Sequence, residues 1–215
     1  MIYFESAIRI LRYFSIICLA LGIIMYLKKF RESHHEIGIY LIILILFECF
    51  SKKVGTLLGN NLIIFLASSF FHFCFLTQIY FNHFFKIKSS WKWSLITVGA
   101  IPFIIQSVSL YNIDTNEFQS YDRAAYDLLI VIYTLLIYLK IARQKIWTKG
   151  LLFLNGAILL FFGLDIFLAI STNFLINQSL SVVSWFWMFR AICLQLFYVS
   201  LIYYLWNNGK TQQHH

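Results

Sequence analysis

Charge is scarce in this sequence. Only 12% of its 215 residues are Asp, Glu, Lys or Arg, against about 25% in a soluble domain, so a water-facing globular surface is excluded. Proline is almost missing, with Pro102 alone, and the turn-rich look of a β protein is missing with it. The ten-residue alternating segments of a transmembrane β-barrel are absent too. The cysteines are few: Cys18, Cys49, Cys74 and Cys193 all fall inside apolar runs without CxxC spacing. That pattern fits buried free thiols better than a disulfide framework or a thiolate metal site. No GxGxxG, GxxxxGK[ST], HExxH or GxSxG motif occurs, so the nucleotide, zinc-protease and serine-hydrolase chemistries that need them have no support. The last apolar run has neither a lysine for a rhodopsin-type Schiff base nor the histidine pair of ceramidase-like membrane hydrolases.

What is present is apolar. Hydrophobic residues make up 60% of the chain and aromatics 20%, with a mean hydropathy of +0.76. Apolar runs of about 20 residues recur from end to end, the length that carries a helix across a bilayer. They predict an all-α membrane protein, a seven-transmembrane-helix bundle occupying residues 1–215 as one domain. The spans are drawn at 8–27, 35–58, 62–85, 93–110, 124–141, 151–173 and 180–206. The N-terminal run has no small-residue cleavage site and reads as a retained first helix. The terminal His-His pair is left out of the functional reading.

Orientation follows from the connections. Lys28, Lys29, Arg31, Lys86, Lys88, Lys92, Lys140, Arg143, Lys145, Lys149 and Lys210 gather at one side, eleven of the seventeen basic residues. The other side holds Arg9, Arg12, Lys52, Lys53 and Arg123, with the acidic stretch "YNIDTNEFQSYD". The positive-inside rule then places the N-terminus outside and the C-terminus in the cytoplasm. Trp91, Trp93, Trp147 and Trp206 fall at the inner interface, as an aromatic belt does. The net charge of +8 is explained by these loops, without nucleic acid. Lys52 and Lys53 snorkel to the near interface.

Ionisable residues inside a span are the informative positions, since each costs roughly 2.5–3.5 kcal/mol at a helix centre. Asp165 stands alone in "AILLFFGLDIFLAI", and Arg190 in "SVVSWFWMFRAICLQLF". A rise of about 1.5 Å per residue sets Asp165 about 12 Å, and Arg190 about 15 Å, below the outer surface on sequential helices. Matching depth on neighbouring helices predicts an ion pair. Glu48 and His72 fall in the same layer, while Gln106 and Asp127 lie nearer the outer surface. Glu48 also has Lys52 at i+4 as an alternative partner. His83 is placed at the inner interface, and His34 and His35 in a solvated loop. Tyr198, Tyr203 and Tyr204 are all able to add hydroxyls to the interior, without the sequence choosing among them.

The stretch "FECFSKKVGTLLGNNLIIFLASSFFHFCFLTQIYF", together with "YDRAAYDLLIVIYTLLIYLK" and "FRAICLQLFYVSLIYYLW", resembles small seven-span membrane proteins of Bacteroidota. Glu48, Asn60, Asn61 and Asp127 match that family in character, whereas His72 and Arg190 stand where it carries other polar residues. The resemblance implies the fold and the compartment, a bacterial inner membrane, and no particular reaction.

The expected function is receptor-like or signalling. An outward-facing polar pocket of Glu48, His72, Asp165, Arg190, Gln106 and Asp127 would take a small or lipid-like ligand, with Arg190 as the anion-binding group and Asp165 holding it. The basic inner face would meet a cytoplasmic or membrane protein. Neither cofactor nor metal is called for. The competing readings are a lipid-acting membrane enzyme, with His72, Glu48 and Asp165 as acid/base groups or metal ligands, a small transporter, and an assembly subunit.

Overall fold

The computed structural model describes residues 2–30, 35–58, 62–85, 88–109, 121–144, 148–178 and 180–211. Among these every element is helical: α1 (Ile2–Met25), α2 (His35–Leu58), α3 (Leu62–Ile79), α4 (Ser89–Ser109), α5 (Tyr121–Gln144), α6 (Lys149–Gln178) and α7 (Leu180–Thr211). Helices are what such apolar runs must form where no water can satisfy the backbone. α1 and α3 each widen into a π-helical turn at their ends, Tyr26–Phe30 and Tyr80–Phe85. The helices begin and end within about six residues of the drawn runs. The GNN turn, the acidic stretch up to Ser120, His34, Trp147 and the terminal histidines lie outside the described residues, as does the side chain of Lys52.

Five helices are long and apolar enough to cross a membrane: Ser6–Lys28, Leu62–Phe85, Tyr121–Arg143, Lys149–Ser171 and Ser184–Asn207. The chain is therefore a multi-pass membrane protein. α2 carries Glu36, Glu48, Lys52 and Lys53, and α4 is diluted by Lys92, Pro102 and Gln106, so neither matches that description.

α1, α2, α3, α5, α6 and α7 pack in a closed ring, and α4 leans on α3 and α5 from outside. Contacts fix the directions. Tyr26 meets His35 and Arg12 meets Glu48, Glu36 meets Gln78 and Tyr40 meets His72, Arg123 meets Asp165 and Tyr138 meets Leu152, and Arg190 meets Asp165 while Tyr203 meets Phe153, so α1/α2, α2/α3, α5/α6 and α6/α7 run antiparallel. Phe73 meets Tyr126 and Tyr80 meets Thr134, so α3 and α5 run parallel. Leu11 and Ser15 meet Gln195, and Gly22 faces Ile202, so α1 and α7 run parallel. One end of the ring thus gathers Arg12, Glu48, Phe65, Arg123 and Arg190, and the other gathers most of the lysines. Mid-ring is closed by Tyr40, Phe73, Phe161, Phe162 and Phe197, all buried, with Phe161 and Phe197 stacked at 5.7 Å. Beyond their polar first turns, most of the exposed side chains of α1 and α4 are apolar, among them Ile10, Ile17, Ile24, Ile101 and Ile104, as a lipid-facing surface requires.

Glycine matters where α1 meets α2. A Cβ at Gly38 would run into the ring of Tyr26, itself buried and bonded through its hydroxyl to His35 Nδ1 at 3.0 Å. Gly163 of α6 has nothing within 4 Å of its Cβ position. Gly38→Ala is expected to lower stability by about 1–3 kcal/mol through overpacking. Gly163→Ala is expected to be neutral, or to stabilise by up to about 1 kcal/mol through helix propensity. Unfolding of both variants in detergent micelles checks the contrast.

Candidate functional site

The site forms where charge enters apolar helix. Asp165 of α6 is gripped from both sides. Arg123 of α5 donates from Nη2 to Oδ1 at 2.5 Å and from Nε to Oδ2 at 3.2 Å. Arg190 of α7 donates from Nε to Oδ1, and from Nη2 to Oδ2 at 3.1 Å. One carboxylate therefore accepts four hydrogen bonds and ties three helices together. Its side chain is 4% exposed, and those of Arg123 and Arg190 are 8% and 14% exposed. Charge-assisted bidentate pairs are the arrangement able to offset desolvation at such a place.

Aromatic rings complete the seating. The Phe65 ring centroid lies 5.7 Å from the Arg123 guanidinium and 5.9 Å from that of Arg190. Phe161 and Trp187 lie 5.2 and 5.4 Å from Arg190. Rings this close favour a cation. One turn after Arg123, Asp127 sets Oδ2 4.0 Å from Arg123 Nε. It is buried, and its oxygens accept no hydrogen bond among the described residues.

The open side of Arg190 faces a cavity of about 250 Å³ among α1, α2, α3 and α7. Arg12, Glu48, His72, Gln195 and Tyr198 also line it, and Phe161 contributes to its floor. Each polar group there has a holder. Tyr198 Oη donates to Glu48 Oε1 at 3.0 Å. Arg12 Nη2 donates to the Glu48 carbonyl at 2.6 Å. Gln195 Nε2 donates to Ser15 Oγ at 2.6 Å and to the Leu11 carbonyl at 3.3 Å. His72 Nδ1 shares a 2.5 Å hydrogen bond with Tyr40 Oη, beneath the cavity.

The residues singled out from sequence divide accordingly. Glu48, His72 and Arg190 line the cavity, and Asp165 stands behind Arg190. Asp127 is buried inside the bundle beside Arg123, one turn further along α5, which begins at Tyr121. Gln106 is half-buried on α4 and does not line the cavity. Of the tyrosines, Tyr198 reaches the site, while Tyr203 packs on Phe153 at 5.7 Å. Cys18 and Cys193 are buried, Cys74 is partly so, and Cys49 is exposed; all four are free thiols.

Arg123 is the residue that sequence reasoning missed. Beginning the fifth span at 124 left it in a loop, counted only towards orientation. Its signal was "DRAAYD", in which Arg123 and Asp127 stand four apart on one helix face.

Among the described residues no three His, Cys, Asp or Glu side chains converge as metal ligands. A second polar cluster sits at the lysine-rich end. His83 Nε2 lies 3.2 Å from Glu36 Oε2, Asn82 donates to Glu36 at 2.6 Å, and Lys92 donates to Asn82 at 3.0 Å. His83 is thus paired rather than merely interfacial, and His35 is bonded to Tyr26 rather than simply solvated.

No family model, no curated protein and no solved structure matches this chain. Its class rests on the fold itself: an α-helical protein with several candidate membrane spans and a buried ionic layer.

The shared carboxylate has a measurable consequence. Asp165→Asn leaves two buried guanidinium groups against one neutral side chain and is expected to cost about 3–5 kcal/mol. Arg123→Gln or Arg190→Gln leaves Asp165 with one bidentate partner, so each costs less. Their double variant is expected to be worse than the sum of the two, because the second loss strands Asp165. Unfolding in micelles reads all four variants. Additive arginine losses would show that Asp165 does not couple the two helices.

Proposed function

We propose that the chain is a receptor-like protein of a bacterial inner membrane, crossing it seven times with the N-terminus outside. In this reading the cavity among α1, α2, α3 and α7 takes a small or lipid-like ligand from the outer side. The observation that carries it is a hollow lined by Arg12, Glu48, Arg190 and Gln195, where packing alone would call for apolar side chains. Sites of this kind are concave, with aromatic walls and a few fixed polar groups. Seven crossings are supported by the antiparallel order of helices consecutive in the chain (α1/α2, α2/α3, α5/α6 and α6/α7) and by the length of α2 and α4, 24 and 21 residues. The orientation rests on Lys28, Lys88, Arg143 and Lys149, all exposed at the end away from the cavity. That end offers a basic face to a cytoplasmic or membrane partner. The resemblance to small seven-span Bacteroidota proteins agrees with this compartment.

Two observations favour reception over transport or catalysis. The buried aromatic layer of Tyr40, Phe161, Phe162 and Phe197 stands between the cavity and the lysine-rich end. His72 is engaged by Tyr40 rather than by a carboxylate that would make it a base or a metal ligand.

Ser68 lines the cavity and Ser89 is exposed at the opposite end. With the four native cysteines replaced by alanine, Ser68→Cys in intact cells is expected to react with a membrane-impermeant thiol reagent applied outside. Ser89→Cys is expected to react only after the cells are opened. Reaction of Ser68→Cys from both faces would favour a transporter instead, and reaction only from within would reverse the orientation.

A further inference from the structure

At the cavity wall Arg12 and Arg190 stand against Glu48, with the carboxylate of Asp165 behind Arg190. Asp122, one residue before Arg123, lies in the first turn of α5, where the positive end of the helix dipole faces it. A ligand with net charge would add an uncompensated ion to a desolvated site. Yet the walls are far from neutral locally. Arg12 and Arg190 offer guanidinium groups from α1 and α7, and Glu48 offers a carboxylate from α2. The lining thus presents two donors for an anion and one acceptor for an N–H donor. Phe47, Phe65 and Trp187 supply apolar wall between them.

From this arrangement we infer that the cavity binds a small zwitterion carrying an ammonium and an acidic group close together, of which an α-amino acid with an apolar side chain is the simplest form. The anion takes the free edges of Arg12 and Arg190. The ammonium takes Glu48. The apolar remainder lies on the rings. A volume of about 250 Å³ suits a molecule of that size and excludes a whole phospholipid, although a zwitterionic lipid headgroup shares the same chemistry. The inference rests on the cavity being a ligand site.

The test uses the full chain in detergent micelles, read by thermal unfolding and by calorimetric titration. The probes are L-phenylalanine, its N-acetyl form without the cation, its methyl ester without the anion, and dihexanoyl phosphatidylethanolamine. Saturable stabilisation by phenylalanine is expected, with both blocked forms at least roughly tenfold weaker, since each leaves a buried partner group unpaired. Glu48→Gln and Arg12→Gln leave the Arg123–Asp165–Arg190 layer intact, and each is expected to weaken phenylalanine by about tenfold. Tighter binding of the phosphatidylethanolamine keeps the zwitterion chemistry and assigns its source to lipid. Equal binding of the N-acetyl form or of the ester overturns the zwitterion and leaves the pocket standing. If no probe binds, the inference fails, and the labelling of Ser68→Cys decides separately whether the cavity is open to the outside.

Discussion

Three helices of this bundle meet on one carboxylate. Asp165 neutralises Arg123 from one side and Arg190 from the other, and without it both buried cations would lose their bidentate partner. The geometry of a carboxylate allows this sharing, because each oxygen accepts from both forks. The layer has a cost in desolvation and yields definition: only one rotation of α5, α6 and α7 brings the three groups into register. In a bilayer, where lipid competes with helices for every apolar contact, such polar register marks add specificity to packing.

The cavity depends on that layer. Arg190 is oriented by Asp165 and by Phe65, Phe161 and Trp187, so its side chain keeps little freedom. Glu48 is similarly held by Tyr198, and Gln195 by Ser15. The bonds from α7 to α1, α2 and α6 surround the hollow, so a ligand there touches the helix that links most of the ring. At the opposite end, Glu36 gathers His83, Asn82 and Gln78 beside the π-helical turn Tyr80–Phe85. This second polar knot joins α2 to the base of α3.

Much of this was legible in the sequence, for reasons that differ by residue. Long apolar runs leave the backbone no choice but helix in lipid, so α2 and α3 begin where they were drawn. Asp165 and Arg190 were findable because an isolated charge in such a run is expensive enough to demand a partner, and equal depth on sequential helices named it. Arg123 was not, because a basic residue at a helix start reads equally well as loop or as core. Gln106 shows the converse: a polar residue near the right depth sits on α4, which packs outside the ring, so depth without rotation says little.

By itself, then, the sequence determined the solvent, the helices and their approximate depths, since hydropathy and length act locally along the chain. It also determined that Asp165 must be neutralised. Only the tertiary structure decided that two arginines share the task, and that Tyr198 rather than Tyr203 answers Glu48. It alone decided that a hollow remains between α1, α2, α3 and α7. Those outcomes depend on helix rotation and ring order, which arise from packing among residues far apart in the chain.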